Sequence, residues 1–92
     1  MSPVVISPHA REQMDLRGAT EAEVEAAISQ GEAVPAKHGR TGFRKNFTFR
    51  ALWRGRYYET KQVVPIVIEA GDGRVVVTVY VYYFGGEHED PV

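Results

Sequence analysis

The sequence predicts an α+β fold: two N-terminal helices packed on one face of a three- to four-stranded antiparallel sheet. Three observations carry this reading. Residues 7–31 contain two helix-capping signals, each closed by a glycine. Residues 43–84 contain long Val-, Phe- and Tyr-rich runs with strand periodicity. Gly71-Asp72-Gly73 separates the last two runs as a hairpin turn. At 92 residues the chain reads as one domain, 1–92, with a folded part of about 4–84 and an acidic tail at 85–92.

Ser7-Pro8 opens the first helix, because serine is a good N-cap and proline suits the first helical position. It runs from His9 to about Arg17, with Ala10 and Met14 as a narrow apolar stripe, and Gly18 ends it. Thr20 and Glu23 form a capping box for the second helix, with Ala19 and Val24 as the hydrophobic staple. Val24, Ala27 and Ile28 share one face, and Gly31 stops the helix.

Residues 32–42 read as a loop with a short strand at Ala33-Val34, made mobile by Gly39 and Gly42 around Arg40. From Phe43 to Trp53 the chain alternates, with Phe43, Phe47, Phe49, Ala51 and Trp53 on one face and Arg44, Asn46, Thr48 and Arg50 on the other. Arg54-Gly55-Arg56 turns the chain into a strand over Tyr57–Glu69, where Pro65 marks a bulge or an edge. Arg74–Phe84 is the last strand, long and apolar enough for a central place. If Ala70 faces Gly73, then Ile66 faces Val77 and Ile68 faces Val75. These four, with Val79 and Val81, make the core face. Thr78, Tyr80 and Tyr82 then share the other face with Lys61, unless Pro65 causes a one-residue slip.

Composition excludes some classes. With no cysteine there is no disulfide framework and no thiolate zinc site. No apolar run approaches a membrane span, and no secretory signal is visible at the N-terminus. The expected setting is the cytoplasm, or a domain cut from an exported toxin. Net charge is −1, yet it is unevenly placed. Residues 37–61 carry Lys37, Arg40, Arg44, Lys45, Arg50, Arg54, Arg56 and Lys61 against Glu59 alone, while the flanking segments are acidic. That suits a polyanion-binding face, and equally a charged edge strand guarded against aggregation.

Candidate chemistry is sparse. His9 sits in the first turn of a helix, where the positive helix end disfavours an imidazolium and suits a general base. A plain surface histidine fits the same position. Thr78, Tyr80 and Tyr82 beside Lys61 could hold a phosphate, and also fit an ordinary strand face. His9, His38 and His88 have no metal-ligand spacing, and no glycine-rich phosphate loop follows a strand.

Taken in order, Ser7-Pro8-His9-Ala10-Arg11, Met14, Arg17-Gly18 and the closing Val76-Val77-Thr78-Val79-Tyr80 resemble a small bacterial family of unknown function. That family in turn looks like a member of the ribonuclease toxin group that unites barnase, EndoU, the tRNase colicins and RelE. The resemblance spans roughly residues 7–84. It implies a helical part followed by a four-stranded antiparallel sheet, RelE-like, and metal-independent RNA cleavage by 2′-hydroxyl attack with no cofactor. It implies tRNA or rRNA as substrate and an antitoxin or immunity protein as partner. Carried over residue by residue, His9 is the general acid or base and Tyr80 a second proton donor. Lys61 and Arg17 stabilise phosphorane charge, and Thr78 bonds a phosphate oxygen. Arg40, Arg44, Lys45, Arg50 and Arg54 position the RNA backbone. The alternative is a non-catalytic module that binds nucleic acid or protein.

Overall fold

The computed structural model describes residues 4–85. The order is β1 (Val4–Ile6), α1 (Pro8–Arg17), α2 (Glu21–Gln30), β2 (Glu32–Pro35), a 3-10 turn (Lys37–Gly39), β3 (Thr41–Trp53), β4 (Arg56–Ala70) and β5 (Gly73–Phe84). The strands form one sheet in the order β1-β5-β4-β3-β2. The expected acidic tail lies almost wholly outside the described residues.

Both helices start as their caps dictate. Ser7 Oγ accepts from Ala10 N at 3.1 Å. Thr20 Oγ1 accepts from Glu23 N at 3.1 Å, while Glu23 Oε1 accepts from Thr20 N at 3.0 Å. Gly18 closes α1 at φ +83, a left-handed value that glycine adopts at little cost. A Cβ there would also lie 2.6 Å from Tyr83 Oη and 2.7 Å from a Trp53 ring carbon. Gly31 ends α2 for another reason: its backbone is extended, and a Cβ would meet Arg44 O at 2.8 Å.

The helices lie on one face of the sheet. Ile6, Ala10, Met14, Ala19 and Val24 pack there on Val63, Val67, Val76 and Val79, with Phe43, Phe47, Ile28 and Val81 at the margin. Dense aliphatic packing of this kind supplies most of the folding free energy, at about 25 cal/mol per Å² of apolar area buried.

The sheet has five strands and is mixed, not the three- to four-stranded antiparallel sheet expected, and so departs from the four-stranded RelE-like sheet that the resemblance implied. β1 pairs in parallel with β5 through Val4↔Arg74, Val5↔Val75 and Ile6↔Val76. At three residues β1 is too short to show a period. β2 adds to β3 through four antiparallel pairs. β4, flanked by β3 and β5 over Thr60–Val67, is the central strand, and β5 is central only where β1 covers it.

The hairpin register begins as expected, with Ala70↔Gly73 and Ile68↔Val75, and then slips by one between Val67↔Val76 and Ile66↔Thr78. Val77 is left over as a bulge. Pro65, fully buried in β4, offers no N–H to the ladder beside it. Ser7 secures the bulge from outside: its N–H donates to Val76 O at 3.1 Å and its hydroxyl to Val77 O at 3.4 Å.

The slip re-sorts the faces. Val79 and Val81 point to the helices as expected, but Ile66, Ile68 and Val75 point to the opposite, open face, and Val67 and Val76 take the core positions. Lys61 pairs with Tyr83 rather than Tyr82 and lies on the helix side. In β3 the alternation holds to Phe49 and breaks at Arg50, whose φ of +46 marks a bulge between Thr48↔Thr60 and Ala51↔Tyr58. Arg54 and Gly55, at φ +54 and +82, form the two-residue turn into β4.

Candidate functional site

The open face carries a concentration of cationic, hydroxyl and imidazole groups. Gly42 sits on it between β2 and β4. A Cβ there would press on Ile66 Cδ1 at 3.1 Å and Val34 Cγ2 at 3.3 Å. Its absence lets Val64 and Ile66 be buried on this face. The segment 36–40 is closed on itself by Ala36 N to Arg40 O at 3.0 Å and Arg40 N to Lys37 O at 3.2 Å. Between it and β5 lies a groove of about 430 Å³, lined by Ala36, Lys37, His38, Arg40, Ile66, Thr78 and Tyr80. His38 holds φ +61 and ψ +33. Left-handed backbone costs a non-glycine residue roughly 1–2 kcal/mol, and such strain concentrates at binding sites.

Arg17 reaches the rim of this face from α1. Past β1 no strand among the described residues covers the outer edge of β5, and Arg17 Nη1 donates to Val79 O there at 2.8 Å. Its guanidinium lies 5.1 Å from the Tyr80 ring centroid. The structure therefore brings together Arg17, Arg40, Thr78 and Tyr80 of the residues expected from sequence, and adds Lys37 and His38.

Two expected residues lie elsewhere. Lys61 is 4% exposed, beneath the helices. Its ammonium bonds Glu23 Oε1 at 2.8 Å and Gly18 O, and lies 5.6 Å from the Phe49 ring. It therefore ties β4 to the α1–α2 corner, on the opposite side of the sheet from Thr78 and Tyr80. His9 is exposed in the first turn of α1 and does not line the groove.

The remaining basic residues divide. Arg44 pairs with Glu32 at 2.6 Å, and Arg50 with Glu59 at 3.1 Å. Lys45 lies over Phe47. Arg54 donates to Leu16 O at 2.8 Å and lies over Trp53. The C-terminal carbonyls of α1 thus meet Arg54 at Leu16, Tyr83 Oη at Arg17 (2.7 Å) and Lys61 at Gly18. Cations at this negative helix end are favourable. Tyr83 also stacks on Trp53 with ring centroids 5.0 Å apart. Burial, helped by the Glu23 carboxylate and opposed by Arg54, pushes its phenol up to about 12.

The groove can bind an anion through Lys37 and Arg40, orient it with the Thr78 and Tyr80 hydroxyls, and exchange protons through His38. Among the described residues no three His, Asp or Glu side chains converge as metal ligands. His38 shows no metal-ligand spacing in the sequence. The available signal was its place in a basic segment bounded by glycines.

Among the described residues no helix is long and apolar enough to cross a membrane. No curated protein and no solved structure matches the chain. A family model does match residues 6–81, almost all of the described fold, and on that match the chain belongs to the family described as Domain of unknown function (DUF4258).

Proposed function

We propose that this domain acts on RNA at the groove of the open face, as a metal-independent endoribonuclease of the toxin type. One observation carries the reading: the groove gathers Lys37, His38, Arg40, Thr78 and Tyr80 around a space of about 430 Å³. The resemblance to the ribonuclease toxin group supplies the reaction. The 2′-oxygen attacks the adjacent phosphorus and the P–O5′ bond breaks. His38 takes the 2′-hydroxyl proton, and Tyr80 protonates the leaving 5′-oxygen. Lys37 and Arg40 offset charge on the phosphorane, and Thr78 donates to a non-bridging oxygen. Arg17, stacked beside the Tyr80 ring, positions that side chain. Lys61 and His9 keep structural and surface roles. A toxin of this kind, in the cytoplasm or exported, requires a neutralising partner, and a protein that covers the groove would serve.

The test is cleavage of tRNA and rRNA in EDTA. Loss of one acid–base group costs roughly 100- to 10,000-fold, so His38→Ala and Tyr80→Phe should each fall by at least about 100-fold. His9→Ala should cleave like the wild type. Unchanged rates in both groove variants would refute the assignment. A second reading, a binding module without turnover, is favoured by the exposure of His38 at the groove rim. Salt-sensitive binding of RNA that stays intact would establish it.

A further inference from the structure

Beyond the groove the open face continues as a row of aromatic rings. Tyr80, Tyr82 and Phe84 alternate along β5 on the side away from the helices and are 41%, 50% and 43% exposed. Large rings this exposed, three in succession, are unusual on a sheet that already has a core on its other face. They sit about 6.8 Å apart, twice the rise per residue of an antiparallel strand.

The rows across the sheet put polar groups beside each ring. Tyr82 pairs with Gln62, and Gln62 with Asn46, whose Oδ1 accepts from Gln62 Nε2 at 2.8 Å. Phe84 pairs with Thr60, and Thr60 with Thr48. Tyr80 pairs with Val64, and the constant register from Gly42↔Ile66 to Lys45↔Val63 sets Arg44 opposite Val64. The row therefore begins at the cationic groove and runs out past an arginine and a ladder of amides and hydroxyls.

We infer that this stripe is a stacking platform for unpaired bases, so that the substrate class is single-stranded RNA rather than duplex. The inference rests on the RNA reading of the groove. Stacked bases rise about 3.4 Å along one strand, about half the ring spacing, so successive rings take bases only from a strand that has been unstacked. Aromatic platforms with flanking cations bind single strands in this way, whatever the base. Arg17 occupies one face of Tyr80, which leaves Tyr82 and Phe84 as the principal stacking rings. Lys37 and Arg40 take the phosphates at the groove end.

The experiment separates binding from cleavage by using a 2′-O-methyl RNA oligomer, which has no free 2′-hydroxyl to attack. Its affinity is measured by fluorescence anisotropy, alone and annealed to its complement. The single strand should bind at least about 10-fold more tightly. Tyr82→Ala and Phe84→Ala should each weaken it roughly 5- to 100-fold, and change duplex affinity little. Both side chains are exposed, so the variants should melt like the wild type. Equal affinity for the two forms, or single-strand affinity unchanged in both variants, overturns the inference. Single-strand preference without any RNA cleavage supports it while refuting the ribonuclease reading. Cleavage without that preference does the reverse.

Discussion

Substituting Lys61 separates a structural from a catalytic account of that residue. The ammonium is buried under the helices, bonded to Glu23 and to the carbonyl that follows α1. In Lys61→Ala the Glu23 carboxylate and the Gly18 carbonyl both lose a charged partner. Breaking a buried pair from one side costs about 3–5 kcal/mol. Glu23 is 22% exposed, so water relieves part of this, and the lower end, about 3 kcal/mol, is expected. That is a large share of the roughly 5–15 kcal/mol that holds a domain of this size. At about 4–8 °C per kcal/mol, the melting temperature should fall by about 12–24 °C. Urea denaturation followed by Trp53 fluorescence reads the loss directly. Lys61→Met with Glu23→Gln removes both charges and should recover much of it. If Lys61→Ala keeps wild-type stability yet abolishes RNA cleavage, the structural assignment is wrong and Lys61 belongs to the chemistry.

Two further predictions concern the same corner. Gly18→Ala forces a side chain into left-handed backbone and against Tyr83 and Trp53, and should cost roughly 2–4 kcal/mol; a change under about 0.5 kcal/mol by urea denaturation would refute the packing. Tyr83 ionises at about 12 in the folded chain against 10 for a free phenol. Its contribution to stability is thus complete below pH 10 and is lost as pH rises toward 12. Tyr83→Phe should flatten that alkaline loss in thermal melts taken across the window, and an unchanged profile would contradict the assignment.

Local signals were legible where a single residue type decides the backbone. Ser7-Pro8, Thr20-x-x-Glu23, Gly18 and Gly71-Asp72 placed both helices and the last hairpin within a residue or so. The faces of β4 and β5 were legible only in part. One extra residue, Val77, changes the pairing parity, so that β4 and the turn end of β5 take the faces opposite to those expected while Val79 and Val81 keep theirs, and nothing in a run of valines marks which one is extra. Pro65 was the visible warning, since it cannot donate to the ladder. The same slip carried Lys61 from the open face to the core, where it serves the carbonyls of α1. β1 was illegible because three apolar residues show no period and their partner lies some 70 residues away. Of the residues that line or flank the groove, Arg17, Arg40, Thr78 and Tyr80 were named from their residue types and the resemblance. Lys37 and His38 join them through the fold of the 36–40 segment over β5, a tertiary event that spacing does not encode.

The central claim, RNA cleavage at the open-face groove, is tested most directly by the ends of the products. Pure wild-type protein is incubated with tRNA and rRNA in EDTA beside His38→Ala, and the new termini are identified. The account predicts 2′,3′-cyclic phosphate and 5′-hydroxyl ends with the wild type and at least about 100-fold less with the variant. Intact RNA, 5′-phosphate ends, or equal cleavage by both proteins would contradict it.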